Sequence, residues 1–369
     1  MEQRKKVATI NEDITSDEYV WENGKLTEIH WRNAHLSGNL DLSGCANLTY
    51  LDCSSSDEEI IASHKLIHLD VSQNSHLKKL DCSYNLLSDL DVSKNSNLTE
   101  LDCRGNQLRN LYVAGCANLK KIECYGNQLT SLDVSGCSSL KRLDCSENQM
   151  TSLNVGGCSN LKYLDCSGNP LTALGVRKNK KLKSLYCSGN QLTVLDVSKN
   201  KKLKSLYCSS NQLTALDVSK NINLKYLHCD DNQLETWNVK NKNLIWLDCG
   251  SAKLRELNTD GCPKLNFLNC SKSQLTHLDV SKNSDLEELN CSASRLKELD
   301  VSKNSNLREL RCSNNQLTNL DVSKNHNLKR LYCNDNQLRK LKENSNLEHL
   351  YCNGNQLTSL NLNKKDKLF

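Results

Sequence analysis

The sequence is poor in residues that usually shape a compact globular core. Its 369 residues include only two prolines and two phenylalanines, and 37% of them are hydrophobic. No apolar run is long enough to cross a bilayer, so we expect no membrane span. The N-terminus begins basic but turns acidic at Glu12 and Asp13 without building an apolar stretch, which argues against a secretory signal.

Motifs for catalysis and metal binding are also missing. There is no Cys-x-x-Cys pair, no histidine at zinc-ligand spacing, no nucleophile elbow, no phosphate-binding loop and no dinucleotide fingerprint. We therefore expect no catalytic residue, no metal site and no cofactor, and a protein that is not an enzyme. The net charge of +5 is mild and neither favours nor excludes a nucleic-acid partner.

The dominant feature of the sequence is an internal repeat of 21 residues. The cysteines from Cys82 to Cys229 mark it, and those from Cys249 to Cys333 continue it after a slip of one residue. Each period holds two half-units of the form Leu-x-x-Leu-x-(Cys or Val)-x-x-Asn, which are 10 and 11 residues long. The local alternation in Leu-x-Cys and Leu-x-Val places two residues inward and one outward, which predicts a short β-strand.

Two strands per period predict a repeat β-solenoid with short parallel strands on both sides of each coil. We name the two predicted sheets after the residue that follows the strand leucine by two positions: the Cys sheet and the Val sheet. The domain organisation follows from the extent of the repeat: residues 26–369 form a single solenoid domain. Residues 1–25 share no repeat pattern and form an N-terminal cap or tail, in which Trp21 covers the first coil.

One stretch of the repeat departs from the pattern. Around Trp237 one residue is lost, and the tryptophan replaces an inward leucine. The next Cys-sheet units carry Ala252, Ser273 and Ser294 where the motif has asparagine. Because asparagine in such a turn bonds neighbouring backbone groups, we expect a weaker or kinked coil across about 237–295.

The half-units resemble the leucine-rich-repeat family, whose core motif is Leu-x-x-Leu-x-Leu-x-x-Asn. The nested 10/11 spacing is similar to the bacterial and protozoal subtype called IRREKO. The resemblance extends over roughly residues 26–369. It implies a non-enzymatic binding scaffold, because members of the family are mostly protein-recognition modules.

The 20 cysteines are predicted to be structural and reduced. Fifteen occupy inward ladder positions, where cysteine behaves as a small apolar residue. The other five replace the motif asparagine of Val-sheet units: Cys45, Cys116, Cys137, Cys158 and Cys262. Since free thiols persist in reducing compartments, we expect a cytoplasmic protein, and a secreted effector or a trimmed surface protein is the alternative.

Aromatic residues are concentrated at the outward positions of the Cys sheet. The candidate partner-binding residues are Tyr163, Tyr186, Tyr207, Tyr226, His228, Trp246 and Phe267. Outward Val-sheet positions hold only Tyr112. Strand propensity would populate both sheets equally, so the asymmetry favours a binding face for a protein ligand.

Two charged groups accompany the aromatic residues. A basic patch comprises Lys180, Lys181, Lys183, Lys201, Lys202 and Lys204, and the stretch 177–226 gives the alternative function, nucleic-acid or polyanion binding. A carboxylate column comprises Asp52, Asp81, Asp102, Glu123, Asp144 and Asp165. We expect these carboxylates to pair with neighbouring basic residues, and a calcium-binding stripe is the alternative interpretation. The sequence does not indicate an oligomeric state.

Overall fold

A computed structural model describes residues 17–34, 36–55, 65–251 and 253–359. The chain divides into two compact units, unit 1 ending at Gln191 and unit 2 beginning at Leu192. The described residues of both units form strands and turns, and none of them is helical. The described part of the chain accordingly contains no helix long and apolar enough to cross a membrane.

The described residues of unit 1 form fifteen short strands. In chain order they are β1 (Tyr19–Glu22), β2 (Lys25–His30), β3 (Gly38–Asp41), β4 (Tyr50–Asp52), β5 (Leu66–Asp70), β6 (Lys79–Asp81), β7 (Asp89–Asp91), β8 (Glu100–Asp102), β9 (Asn110–Tyr112), β10 (Lys121–Glu123), β11 (Ser131–Asp133), β12 (Arg142–Asp144), β13 (Ser152–Asn154), β14 (Tyr163–Asp165) and β15 (Ser184–Tyr186).

The Cys sheet of unit 1 is a continuous parallel sheet. Strands β2, β4, β6, β8, β10, β12, β14 and β15 pair in that order, and their central leucines or isoleucines lie in register. At its first edge β1 runs antiparallel to β2, and Trp21, which is half-buried, pairs with Leu26. Of the predicted N-terminal segment 1–25, residues 1–16 lie outside the described residues.

Unit 2 repeats this arrangement, with twelve strands among its described residues. They are β16 (Ser205–Tyr207), β17 (Tyr226–His228), β18 (Thr236–Asn238), β19 (Trp246–Asp248), β20 (Glu256–Asn258), β21 (Phe267–Asn269), β22 (Glu288–Asn290), β23 (Glu309–Arg311), β24 (Asn319–Asp321), β25 (Arg330–Tyr332), β26 (Lys340–Lys342) and β27 (His349–Tyr351). Its Cys sheet is parallel and runs β16, β17, β19, β21, β22, β23, β25 and β27.

The core of each unit is a stack of inward leucines, valines and cysteines, as the alternation predicts. Leu164, Leu185, Leu206 and Leu227 are fully buried, and so are the ladder cysteines beside them except Cys229, which is 1% exposed. The predicted parallel β-solenoid with about 21 residues per coil is therefore confirmed. Trp237 is also buried, and its indole Nε1 donates to the carbonyl of Leu216 at 2.9 Å.

The Val sheet is less regular than the Cys sheet. It is divided into two-stranded pairs, namely β3–β5, β7–β9 and β11–β13 in unit 1 and β18–β20 and β24–β26 in unit 2. Around Leu174, Leu195 and Leu216 the corresponding segments form no strand, although each leucine is buried. Inward packing of the leucine is thus maintained in coils where the strand pairing on that side is absent.

The motif asparagines of successive coils form two columns, which we call the asparagine ladders, and their side chains hydrogen-bond the turns in both units. On the Cys-sheet side, Asn127 Nδ2 donates to the carbonyls of Cys103 and Cys124 at 3.1 and 3.0 Å, and its Oδ1 accepts from Leu108 N at 3.0 Å. On the Val-sheet side, Asn95 Nδ2 also donates to two carbonyls, both at 2.9 Å, but its buried Oδ1 has no partner. The two ladders therefore differ in how completely the amide is satisfied.

The irregular stretch around 237–295 keeps its Cys-sheet pairing. Strands β17, β19, β21, β22 and β23 remain in register across it, so the expected kink is not seen as a break in that sheet. Where asparagine is missing, Ser251 Oγ bonds the Asn232 carbonyl at 2.7 Å and the hydroxyls of Ser273 and Ser294 bond each other at 2.8 Å. Ala252 lies outside the described residues.

The residue two positions after a ladder cysteine has a left-handed backbone conformation in thirteen of the fifteen described turns, the exceptions being those after Cys53 and Cys249. Glycine fills this position in some coils, such as Gly105 (φ 61°), but Tyr84 (φ 57°), Glu147 (φ 50°) and Ala293 (φ 53°) fill it in others. A Cβ on Gly105 would lie 2.5 Å from the ring of Tyr84, so at Gly105 the stacked neighbour also requires glycine.

Candidate functional site

The predicted partner-binding residues lie on the outward positions of the Cys sheet, divided between the two units. They occupy two columns, one just before and one just after each strand leucine, rather than one continuous row. In unit 1, Tyr163 stands in the first column and Tyr186 in the second, so they meet diagonally with ring centroids 5.3 Å apart and planes 39° apart. The guanidinium of Arg142 lies 3.7 Å over the Tyr163 ring.

Tyr163 is closely engaged by its own neighbours. Its hydroxyl donates to Asp165 Oδ2 at 3.3 Å. Burial, reinforced by the negative charge of Asp165, raises the pKa of Tyr163 to about 12. The hydroxyl therefore stays protonated at neutral pH.

Unit 2 carries an aromatic strip, which we define as Tyr207, Tyr226, His228, Trp246 and Phe267. The rings of Tyr207 and His228 stack at 4.3 Å with planes 10° apart, and those of Trp246 and Phe267 at 3.5 Å and 7°. His228 of the second column also stacks on Trp246 of the first column, and their ring centroids are 5.9 Å apart. Tyr226 pairs in register with Trp246 and is 41% exposed.

Stacking determines which part of each ring a ligand could reach. Near-parallel rings at these distances cover the faces that they share, so a ligand would reach the stacked rings at their edges and Tyr226 at its exposed side chain. Burial lowers the pKa of His228, so the imidazole within the stack is neutral at neutral pH. A neutral ring can stack on Tyr207 and Trp246 without a cost for a buried charge.

The predicted basic patch is exposed in both units. Lys180, Lys181 and Lys183 belong to unit 1, and Lys201, Lys202 and Lys204 belong to unit 2. Lys181 Nζ donates to Asn160 Oδ1 at 2.6 Å. These side chains extend from the turn that leads into each Cys-sheet strand, at the edge of the sheet rather than on its face.

A second basic feature was missed by the sequence analysis. Lys120, Lys141, Lys162 and Lys183 each immediately precede a strand of the unit 1 Cys sheet, and we call them the lysine column. Backbone bonds hold them in register: the amides of Lys141, Lys162 and Lys183 each donate to the lysine carbonyl one coil before, at 2.8–2.9 Å. The signal was available in the sequence as a lysine at 21-residue spacing.

Three of the six members of the carboxylate column, Asp102, Glu123 and Asp144, pair with basic residues as expected, whereas Asp52, Asp81 and Asp165 accept hydrogen bonds from neighbouring hydroxyls. Glu123 binds Lys121 at 3.2 Å and Arg142 at 2.7 Å, and Asp102 binds Arg104 at 2.9 Å. Burial, with the nearby Asp81 charge, raises the pKa of Asp102 to about 6. Lys79, a basic residue beside the column, binds Glu100 at 3.2 Å instead of a member of the column. Across the described residues, no group of three or more His, Cys, Asp or Glu side chains is placed to hold a metal.

All twenty cysteines are free thiols, and all but Cys352 are buried. Burial raises the pKa of the ladder thiols, Cys103 among them, well above the ordinary value. The five Val-sheet cysteines take the place of asparagine: the thiols of Cys116 and Cys158 donate to the carbonyls of Val92 and Val134, both at 3.1 Å. Both groups therefore act as packing and capping residues.

Solved structures similar to this chain share its repeat. The functional domain of InlJ from Listeria monocytogenes, whose structure includes a cysteine ladder, is 35% identical with a TM-score of 0.75, over 85% of this chain and 69% of that one. The leucine-rich-repeat protein LIC12759 from Leptospira interrogans is 26% identical with a TM-score of 0.75, over 95% and 94% of the two chains. YopM, a leucine-rich effector protein from Yersinia pestis, is 24% identical over 80% and 83% with a TM-score of 0.67, and shows the fold alone.

Sequence comparison agrees with the structural comparison. The family model described as leucine-rich repeats (two copies) matches residues 138–179, 159–200 and 180–221. No curated protein gives a significant match.

Proposed function

Because the chain belongs to the leucine-rich-repeat family, we propose that it is a scaffold that binds another protein through the aromatic strip of unit 2. Proteins of this family are typically non-enzymatic binding modules, and a purely binding role is part of the proposal. Tyr163 and Tyr186 of unit 1 are proposed as further contact residues. The IRREKO subtype remains a prediction.

The observation that carries this proposal is the uneven distribution of aromatic side chains. Four of the five strip residues stack in the Cys sheet, whereas the outward Val-sheet positions hold a single tyrosine, Tyr112, no tryptophan or phenylalanine, and two histidines, His68 and His277. The half-buried, pre-stacked rings of the strip are held by short strands, so ordering them on binding costs little conformational entropy. Tyrosine and tryptophan are also the residues most enriched at the energetic centres of protein interfaces.

Ring stacking supports a protein ligand over a nucleic acid. Single-stranded nucleic acids are bound by inserting bases against open ring faces, and the faces shared within the Tyr207–His228 and Trp246–Phe267 pairs are covered. Ring edges and hydroxyls suit the aliphatic side chains and backbone carbonyls of a protein surface. Lys201, Lys202 and Lys204 would accelerate the approach of an acidic partner.

The test is capture of partners from native cell extract, followed by affinity measurement with the purified partner. We expect Tyr207→Ala/Trp246→Ala to weaken binding by about 2–4 kcal/mol, on the scale of interface hot spots, without lowering the unfolding midpoint appreciably. The matched control is Val194→Ala/Ile222→Ala, which removes side chains that are 71% and 54% exposed in the same unit but lie outside the strip. Equal affinities of the two variants for the partner would refute the aromatic strip as the recognition face.

A further inference from the structure

The lysine column of unit 1 has no counterion of its own. Its members, Lys120, Lys141, Lys162 and Lys183, are all exposed, and none forms an ion pair within the described residues. The nearby carboxylate Glu123 is already bound by Lys121 and Arg142, which stand in the adjacent column. Four like charges in a row repel one another, and that repulsion is relieved by an anionic partner.

We propose that the lysine column binds an acidic α-helix of a partner protein, with the helix axis lying along the direction in which the coils stack. The proposal uses a different unit and different residues from the aromatic strip, so it does not depend on the function proposed above. The argument for a helix rests on the spacing of the charges.

Backbone pairing fixes that spacing. Adjacent strands of a sheet lie about 4.8 Å apart, so four in-register lysines fall at roughly 0, 4.8, 9.6 and 14.4 Å. A helix rises about 1.5 Å per residue, so carboxylates at positions i, i+3, i+7 and i+10 fall at about 0, 4.5, 10.5 and 15 Å on one face. The mismatch never exceeds about 1 Å, which flexible lysine side chains absorb.

Other linear anions fit less well. In an extended peptide, side chains on one face recur about every 6.6 Å, so the fourth falls near 20 Å and lies more than one coil beyond the fourth lysine. Phosphates of one DNA strand recur about every 3.4 Å along the axis and wind away from a straight column. Tyr163 beside the column has its ring occupied by Arg142 and Tyr186, which leaves little open ring face for a base to stack on.

The experiment uses the full chain and two synthetic peptides of identical composition. In the first peptide four glutamates occupy i, i+3, i+7 and i+10 of a helix built from alanine and glutamine, and in the second the same glutamates are distributed around the helix. Peptide helicity is verified by circular dichroism, because short isolated helices are marginal in water. Affinity is measured by fluorescence anisotropy at about 50 and 200 mM NaCl, since pairing of exposed charges is screened by salt.

The first peptide is expected to bind at least tenfold more tightly than the second. Lys120→Gln/Lys141→Gln/Lys162→Gln should weaken its binding about tenfold, equal to about 1.4 kcal/mol, and flatten the salt dependence. The matched control, Arg109→Gln/Lys253→Gln/Lys297→Gln, removes the same charge from exposed positions on the Val-sheet side and should bind as the unmodified chain does.

Three results would overturn the proposal. They are equal binding of the two peptides, equal binding by the two triple variants, or tighter binding of a single-stranded oligonucleotide of the same charge than of the first peptide. The Tyr207→Ala/Trp246→Ala variant should keep its affinity for the first peptide. The experiment therefore distinguishes failure of the proposed function of the aromatic strip from failure of the proposed helix binding by the lysine column.

Discussion

The two asparagine ladders should tolerate the same substitution very differently. Replacing Asn127 by cysteine removes the acceptor of the buried Leu108 amide and leaves a single thiol donor for two carbonyls. An unpaired buried amide costs about 1–3 kcal/mol and a lost hydrogen bond about 1 kcal/mol, so Asn127→Cys should destabilise the chain by about 2–4 kcal/mol.

Replacing Asn95 by cysteine should cost much less. One of the two donated bonds is lost and the other is weakened, but the substitution also removes a buried side-chain amide oxygen that has no partner. The chain itself has cysteine at the equivalent place one coil later, where Cys116 donates to Val92 at 3.1 Å. We expect Asn95→Cys to change the free energy of unfolding by about 0–1 kcal/mol, because the two effects are similar in size.

Equilibrium unfolding in urea, followed by circular dichroism, measures both variants against the unmodified chain. The comparison uses the first unfolding transition, because long repeat proteins do not always unfold in one step. An Asn95→Cys variant that is destabilised as much as Asn127→Cys would show that the unpaired oxygen carries no cost. It would also leave the presence of cysteine at the Val-sheet positions without a physical explanation.

Three further predictions concern the thiols, the pH dependence and the secondary structure. Thiol titration should detect about one to two thiols in the folded chain and twenty after denaturation, since all the cysteines but Cys352 are buried. Extensive oxidation of the cysteines in protein alkylated at lysis would argue against the proposed reducing, cytoplasmic location. Burial and the neighbouring Asp230 raise the pKa of Asp248 to about 6, so the folded chain binds this proton more tightly than the unfolded chain, and stability falls as pH rises from about 4 through 6. Asp248→Asn should therefore stabilise the protein at pH 7 by about 1 kcal/mol, allowing for solvent screening. A variant whose stability has the same pH profile as that of the unmodified chain would contradict this prediction. Far-ultraviolet circular dichroism should show strand and turn signals without a helical minimum, because the described residues contain no helix.

The 21-residue period made the inward residues predictable, because a repeat fixes which side of each strand faces the core. The buried ladder cysteines and Trp237 follow from that period. Arrangements that depend on contacts between coils could not be predicted in the same way. Whether the Val sheet forms hydrogen bonds in a given coil depends on small differences in backbone separation, which no single half-unit encodes.

The candidate site was predicted in outline but not in geometry. The outward positions and their columns could be read from the sequence, because Tyr207 and His228 each follow a strand leucine while Trp246 and Phe267 each precede one. Ring stacking depends on side-chain rotamers, which the sequence does not specify. Only the structure shows that the shared ring faces are covered and that a ligand would contact ring edges. Of the lysine column only Lys183 belongs to the predicted basic patch, because the other members are separated by 21 residues and form no dense cluster in the sequence.

The reach of the ladder hydrogen bonds has a consequence for how the chain folds during synthesis. Most of the ladder asparagine amides bond carbonyls no more than 24 residues earlier, and Asn74 and Asn85 reach 32 residues back, so a coil needs only its predecessor in order to close. A ribosome adds about 5–20 residues per second, which supplies one coil every one to four seconds. Closing a short loop takes far less time than that. Coils within a unit can therefore dock one after another as they emerge, and the apolar surface exposed at any moment is limited to about one unfinished coil.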